Sequence, residues 1–128
     1  MVKGITFGAF DPLHLGHIFL FQNAKKQCDY LIVVVSSDDY IKKIKGYSPK
    51  FTYRQRIKAL SSIKEIDYIY RQKDKNSKEY FVDLLKPDVI FVGNDWTPET
   101  FKGEGLGVPV NYLPRTPDIS ATQLRNEI

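Results

Sequence analysis

Hydrophobic and polar positions change period repeatedly along this chain, and the changes predict strands that alternate with helices. Nearly continuous β-branched and aromatic runs at residues 2–7 and 30–36 are typical of buried strands. Shorter apolar runs predict three further strands, at residues 65–70, 88–92 and 108–113. Segments with apolar residues at every third or fourth position lie between several of these strands and predict helices.

The helix starts are marked by capping residues. Apolar side chains recur at helical spacing within residues 18–24, after the first predicted strand. Capping-box patterns predict helix starts at Thr52 and Ser120, where Gln follows three residues later. Ser77 is expected to cap another helix, which should end before Pro87. This alternation predicts a single domain over residues 1–128, an α/β Rossmann-like open parallel five-stranded sheet with helices on both faces.

Polar and charged residues collect where the predicted strands end. In open α/β sheets, ligands bind beyond the carboxyl ends of the strands. That rule points to residues 8–17, 36–50, 93–96 and 115–122, and all four segments are rich in polar or charged side chains. We expect loops there, with the functional residues on them.

Charge and cysteine content narrow the possible function classes. The chain has 19 basic and 15 acidic residues, and its net charge of +4 favours anionic ligands. The basic residues do not interleave with aromatic residues in a nucleic-acid-binding pattern, so no nucleic-acid partner is expected. Cys28 is the single cysteine, so we expect no internal disulfide, and no Cys/His cluster predicts a protein-bound metal. Apolar runs far shorter than the roughly 20 residues of a membrane span, and the lack of a charged leader, predict a cytoplasmic protein without membrane insertion.

Both histidines of the chain, His14 and His17, lie in one segment, residues 8–17, which we call the histidine loop. The loop follows a predicted strand and opens a predicted helix, so its backbone N–H groups and the helix dipole favour an anion. Imidazoles there can donate hydrogen bonds to phosphate oxygens as charge builds on them. Gly8 and Gly16 would let the backbone approach a phosphate closely. Asp11 could orient the loop or accept a hydrogen bond from a substrate hydroxyl.

Two motifs carry a family resemblance. Residues 8–17 match the pattern G-x-F-D-x-x-H-x-G-H, and residues 115–120 are similar to R-T-x-x-I-S. On these residues, together with 93–96 and 112–120, the chain resembles the cytidylyltransferase-like nucleotidyltransferases. Within them it is most similar to the small glycerol-3-phosphate cytidylyltransferases, over nearly its whole length.

The resemblance implies a transfer of CMP from CTP to a small phosphorylated alcohol, glycerol 3-phosphate or similar, with release of pyrophosphate. The acceptor's phosphate oxygen would attack the α-phosphorus directly, without a covalent enzyme intermediate. The resemblance also implies Mg²⁺ bound with the nucleoside triphosphate, a homodimer, and a role in cell-envelope biosynthesis.

The resemblance assigns roles to individual positions. The expected catalytic residues are His14, His17, Lys45 and Arg115. The expected nucleotide-binding residues are Gly8, Ala9, Phe10, His14, Gly16, His17, Asn94, Asp95, Trp96, Arg115, Thr116, Ile119 and Ser120. The expected substrate-binding residues are Asp11, Lys45, Arg56 and Asp67. Lys43 is the alternative to Lys45, and Arg54 is the alternative to Arg56.

Several of these assignments have a second interpretation. Asp67, expected just before the end of the third strand, could equally serve turn structure. Trp96 could face the base or pack in the core. Ser120 could cap a helix, bind phosphates, or do both. Asp118 and Ala121 depart from the Gly and Thr of the family motif. A carboxylate beside a triphosphate is unfavourable, so the side chain of Asp118 should point away from the nucleotide.

Two other functions remain open from the sequence. Residues 119–125 resemble the I-S-x-T-x-x-R ending of nicotinate-mononucleotide and pantetheine-phosphate adenylyltransferases. An adenylyltransferase that uses ATP on a phosphorylated sugar, vitamin or nucleotide is therefore the close alternative. A nucleotide-binding module without turnover is the alternative from a different class, and the intact histidine pair argues against it.

Overall fold

The computed structural model describes residues 1–73, 77–93 and 104–113. Five strands lie in these residues: β1 (Lys3–Gly8), β2 (Tyr30–Ser36), β3 (Tyr68–Gln72), β4 (Val89–Gly93) and β5 (Val110–Leu113). They form one sheet in the order β3-β2-β1-β4-β5, and every pairing is parallel. The predicted open parallel five-stranded sheet is confirmed.

Four helices lie in the same residues: α1 (Leu15–Lys25), α2 (Asp38–Lys45), α3 (Tyr53–Leu60) and α4 (Lys78–Leu85). Side chains of α1 and α3 join one face of the sheet in a buried cluster that includes Phe21, Leu60 and Val33. Phe81 of α4 packs with Ile5 and other residues of the opposite face. Helices therefore cover both faces, as the sequence predicts.

Helix capping follows the sequence closely. Thr52 caps α3, and the side chains of Thr52 and Gln55 each accept a hydrogen bond from the other's backbone N–H, a complete capping box. Ser77 caps α4 by accepting from the backbone of Tyr80. That helix ends at Lys86, which is left-handed (φ 48°). The helix predicted from Ser120 lies outside the described residues.

The prediction of a loop over residues 36–50 is wrong, because α2 occupies most of this segment. Ser37 caps α2 by accepting from the Tyr40 backbone, and Gly46 ends it at φ 78°. Ile41 is the single buried residue of this short helix, so its apolar pattern is weak. The third strand also starts later than predicted, at Tyr68 rather than residue 65, since residues 61–67 form turns.

The strand order fixes where a ligand can bind. The chain passes from β1 through α1 to β2 and through α3 to β3, and then crosses the opposite face to β4 on the other side of β1. The order therefore reverses between β1 and β4, and the carboxyl ends of these two strands border the crevice that such sheets use for ligands. The histidine loop follows β1 directly.

Candidate active site

The start of the histidine loop is shaped by the ring of Phe10. Phe10 is left-handed (φ 54°) and buried, and its ring contacts the Phe21 ring with centroids 5.4 Å apart. A Cβ atom on Gly8 would lie 2.7 Å from Cζ of Phe10. Gly8 is thus required by the packing of Phe10 itself, whereas the sequence suggested a close phosphate approach. The peptide bond between Asp11 and Pro12 is cis.

The two histidines cap α1 reciprocally. The backbone N–H of Gly16 donates to Nδ1 of His14, and the backbone N–H of His14 donates to Nδ1 of His17, each over 3.1 Å. This is a capping box built from imidazoles in place of the usual hydroxyl and carboxamide. The rings stack with centroids 3.7 Å apart and an interplanar angle of 24°. A Cβ on Gly16 would lie 2.9 Å from Cε1 of His14, which explains a glycine there.

This capping arrangement assigns the histidine tautomers. Each Nδ1 accepts a backbone N–H, so it carries no proton of its own. The neutral rings of His14 and His17 then hold their proton on Nε2, the nitrogen distal to the backbone. Two stacked N–H donors therefore stand at the N-terminus of α1, where the helix dipole also favours negative charge. The Phe10 ring holds His17 edge-on, with centroids 4.9 Å apart.

Both carboxylate oxygens of Asp11 accept hydrogen bonds from within the protein. Its two oxygens accept from the backbone N–H groups of Lys50 (2.7 Å) and Phe51 (2.8 Å). These bonds tie the histidine loop to the segment that precedes α3. Of the two roles considered for Asp11, the structure favours orienting the loop.

Arg56 was expected to bind a substrate phosphate, but its side chain is buried, with 2% of the residue exposed. Its Nε donates to the Phe51 carbonyl oxygen (3.0 Å), and its Nη1 donates to the carbonyl oxygens of Ala9 (2.9 Å) and Ser36 (2.7 Å). Its Nη2 donates to Oδ1 of Asp38 (2.6 Å). Four of the five guanidinium N–H groups are therefore used inside the protein, and the bidentate phosphate contact expected of an arginine is not available. Arg54, the alternative, is exposed on α3.

The structure places Lys45 at the last position of α2 and exposes it. Lys42, Lys43 and Lys45 together fill the last turn of this helix, where cations also offset the helix dipole. The helix begins at the carboxyl end of β2, and its eight residues span about 12 Å. Lys45 therefore stands on a helix end and not on the loop expected for it.

Asp67 lies at the amino edge of the sheet, and its contacts there favour the structural one of the two roles considered for it. It precedes the first residue of β3, and its Oδ2 accepts from the backbone N–H of Leu31 (2.7 Å) and from Nζ of Lys25 (2.5 Å). Leu31 is near the amino end of β2, about 17 Å along the strand from Ser36. Partial burial alone would raise the pKa of Asp67, but the hydrogen bonds from Lys25 and Leu31 outweigh it and hold that pKa below its ordinary value.

The remaining predicted site residues lie outside the described residues. They are Asn94, Asp95, Trp96, Arg115, Thr116, Ile119 and Ser120, and the motif departures Asp118 and Ala121 lie there too. β4 ends at Gly93, beside the reversal point of the sheet, and Asn94 is the next residue in the sequence.

Two charged residues near the carboxyl edge of the sheet were not identified from the sequence. Asp38, the first residue of α2, pairs with Arg56. Arg71, on β3, is exposed and places its guanidinium carbon 4.0 Å from the ring centroid of Tyr53. Neither has a local signal, because its partner lies 18 residues away along the chain in each case.

Within the described part of the chain, no three His, Cys, Asp or Glu side chains cluster so as to hold a metal ion. The carboxylate nearest the histidines in sequence, Asp11, already accepts two backbone N–H groups. A metal cage made by the described residues therefore does not fit this site. None of the helices in residues 1–73, 77–93 and 104–113 is long and apolar enough to cross a membrane.

Comparison with known proteins extends the resemblance carried by the motifs. A family model described as cytidylyltransferase-like matches residues 5–127. The chain is 38% identical over its full length to the glycerol-3-phosphate cytidylyltransferase of Staphylococcus aureus (strain NCTC 8325 / PS 47), of which it covers 96%. It is 37% identical to the protein of the same name from Bacillus subtilis (strain 168), and covers 98% of it.

A solved structure agrees with the fold. The lipopolysaccharide core biosynthesis protein from Thermoplasma volcanium GSS1 superposes with a TM-score of 0.72 and 30% sequence identity. The match covers 91% of this chain and 97% of that one. With the histidine loop at the reversal point of the sheet and a family model spanning nearly every residue, the chain belongs to the cytidylyltransferase-like family.

Proposed function

We propose that this protein is a glycerol-3-phosphate cytidylyltransferase, which transfers CMP from CTP to glycerol 3-phosphate and releases pyrophosphate. The observation that carries the proposal is the reciprocal cap of His14 and His17, which sets two Nε2–H donors at the start of α1. The full-length relatives that bear this activity in their names support the choice of substrates. They also disfavour the adenylyltransferase alternative.

The chemistry requires charge stabilisation and alignment. A phosphate oxygen of glycerol 3-phosphate forms a bond to the α-phosphorus of CTP while the bond from that phosphorus to the β-phosphate oxygen breaks. Negative charge increases on the non-bridging oxygens and on the leaving pyrophosphate. The Nε2–H groups of His14 and His17 would donate to these oxygens, each contributing about 3–4 kcal/mol in the transition state.

Other residues have narrower proposed roles. The backbone of Ala9 and Gly16 would line the phosphates, with the helix dipole of α1 adding to the attraction. Lys45, or Lys43 beside it, would offset charge on the phosphates. The residues proposed for the base and triphosphate by motif are Asn94, Asp95, Trp96, Arg115, Thr116, Ile119 and Ser120.

We further propose that Mg²⁺ enters with the nucleotide, bound through the triphosphate oxygens, because the described residues form no cage for it. When bound, the ion would neutralise charge on the leaving pyrophosphate. A one-domain cytoplasmic homodimer with a role in envelope synthesis is the setting that the family resemblance favours.

The test follows pyrophosphate release from each of the four ribonucleoside triphosphates with Mg²⁺ and a panel of small phosphate monoesters. Turnover with CTP and glycerol 3-phosphate, abolished by a chelator, is expected. Turnover confined to ATP would overturn the proposal, and tight nucleotide binding without turnover would favour the non-catalytic alternative.

A matched pair of variants ties activity to the histidine pair. His17→Ala should lower kcat by about 10²–10³-fold, as expected for one lost transition-state donor. Gln22→Ala, at an exposed position of the same helix, should leave turnover unchanged. Equal activity of both variants would show that His17 does not take part in the mechanism.

A further inference from the structure

Arg56 connects three parts of the chain at the carboxyl edge of the sheet, which are the histidine loop, residues 36–38 and the residue before its own helix cap. Its acceptors are the carbonyls of Ala9 in the histidine loop, Ser36 at the end of β2 and Phe51 before α3, together with the carboxylate of Asp38 in α2. Ala9 follows β1 directly and Ser36 is the last residue of β2, so both carbonyls lie where the sheet ends and accept from Arg56 there. The guanidinium of Arg56 supplies one N–H donor to each of its four acceptors.

The hydrogen bond from Arg56 to Ala9 is connected to His17 through Phe10. The carbonyl of Ala9 belongs to the peptide group that precedes Phe10, and the orientation of this group is fixed by the left-handed φ of Phe10. A non-glycine residue adopts that conformation only where its surroundings impose it. The ring of Phe10 in turn packs edge-on against His17. The hydrogen bond from Arg56 therefore stabilises the backbone conformation that places the His17 ring.

Further contacts link the histidine loop to the same arginine through Phe51. Phe51 offers its carbonyl to Arg56 and its backbone N–H to Asp11. The Asp38 carboxylate connects Arg56 to the first turn of α2, whose last turn carries Lys45. The histidine loop and α2 are thus positioned by one buried guanidinium.

We propose that Arg56 is a positioning residue for catalysis and not a ligand of the substrate phosphate. It sets the histidine loop and the start of α2 relative to each other, so that the Nε2–H donors are preorganised for the transition state. The effect on turnover rests on the proposed cytidylyltransferase activity. The effect on the histidine rings does not, because it concerns the protein without substrate.

The experiment compares Arg56→Lys with Lys58→Arg, a charge-conserving control at an exposed position on the same helix. An ammonium keeps the charge but cannot reach four acceptors arranged around a planar fork. We expect Arg56→Lys to remain folded, to lower kcat by about 10-fold to 100-fold, and to change the KM for glycerol 3-phosphate by less than about threefold. Lys58→Arg should change neither constant.

A readout without substrate tests the positioning itself. Nitrogen-15 NMR of the histidine side chains reports the tautomer and surroundings of His14 and His17. Arg56→Lys should shift the His17 ring resonances, and Lys58→Arg should leave them in place. Circular dichroism of both variants should retain the wild-type helix content.

Two results would overturn the proposal. Unchanged histidine resonances and an unchanged kcat in Arg56→Lys would show that Arg56 does not position the loop. A large rise in the KM for glycerol 3-phosphate with kcat preserved would return Arg56 to the role of a substrate ligand. If the wild-type protein shows no turnover with any substrate pair, the proposed function fails, and the histidine spectra alone decide the role of Arg56.

Discussion

His14 has two roles at different nitrogens, and the two can be separated by substitution. Nδ1 accepts from the backbone of Gly16 and caps α1, whereas Nε2 carries the proton available to a phosphate. Asparagine places an oxygen near the position of Nδ1 but has nothing at Nε2. Glutamine extends far enough to place an amide N–H near Nε2 but is a poor cap.

The expected magnitudes differ for the two substitutions. Loss of the cap in His14→Gln should lower the free energy of unfolding by about 1 kcal/mol, which is about 4 °C in Tm for a chain of this size. His14→Asn should keep that stability. Loss of the Nε2 donor in His14→Asn should raise the activation free energy by about 3–4 kcal/mol, and so lower kcat by roughly 10²–10³-fold. His14→Gln should retain more of the rate than His14→Asn.

Urea denaturation gives the stability of each variant, and pyrophosphate release gives its rate. Alanine at the same position should show both losses together and serves as the reference. Wild-type turnover in His14→Asn would refute the assignment of Nε2 as a transition-state donor. A destabilisation of His14→Asn equal to that of the alanine variant would refute the role of Nδ1 as a cap.

Three other substitutions test neighbouring parts of the structure. Gly8→Ala should cost about 1–3 kcal/mol in urea denaturation, because the new Cβ lies 2.7 Å from the Phe10 ring; an unchanged midpoint would mean that the ring moves freely. Asp11→Asn should lower the free energy of unfolding by about 1–3 kcal/mol, because the amide has one oxygen in place of the two that accept backbone N–H groups. It should also lower turnover, and a normal kcat would argue against the orienting role of Asp11. Asp67→Asn should cost no more than about 1 kcal/mol and leave kcat unchanged, since the carboxylate pairs with Lys25 far from the site. Because the pKa of Asp67 is lowered, its contribution is present above the ordinary carboxyl range and is lost as the pH falls through the folded pKa. The stability difference between wild type and Asp67→Asn should therefore vanish in acid, and a difference that persists there would contradict the ion pair.

The elements predicted best from the sequence are those whose signal is local. The boundaries of β2 and the caps at Thr52 and Ser77 agree with the structure. A buried strand needs only a continuous apolar run, and a cap needs one side-chain oxygen that accepts from the backbone N–H three residues later. The histidine loop could also be located, since two histidines after a strand end form a compact motif. α2 was missed because only Ile41 of its eight residues is buried.

The tertiary structure decided which residues serve the site and which serve the fold. Arg54 and Arg56 are two residues apart on one helix. The carbonyls of Ala9 and Ser36, which are distant along the chain, and that of Phe51 make Arg56 the buried one. Asp67 is a second example. Its place in the sequence suggested a substrate-binding side chain, but the structure places it at the amino edge of the sheet. The sequence determined the period of each element and the position of the histidine loop, because these depend on neighbours along the chain. The roles of the buried and edge charges depend on contacts across the chain, and those exist only after the sheet has formed.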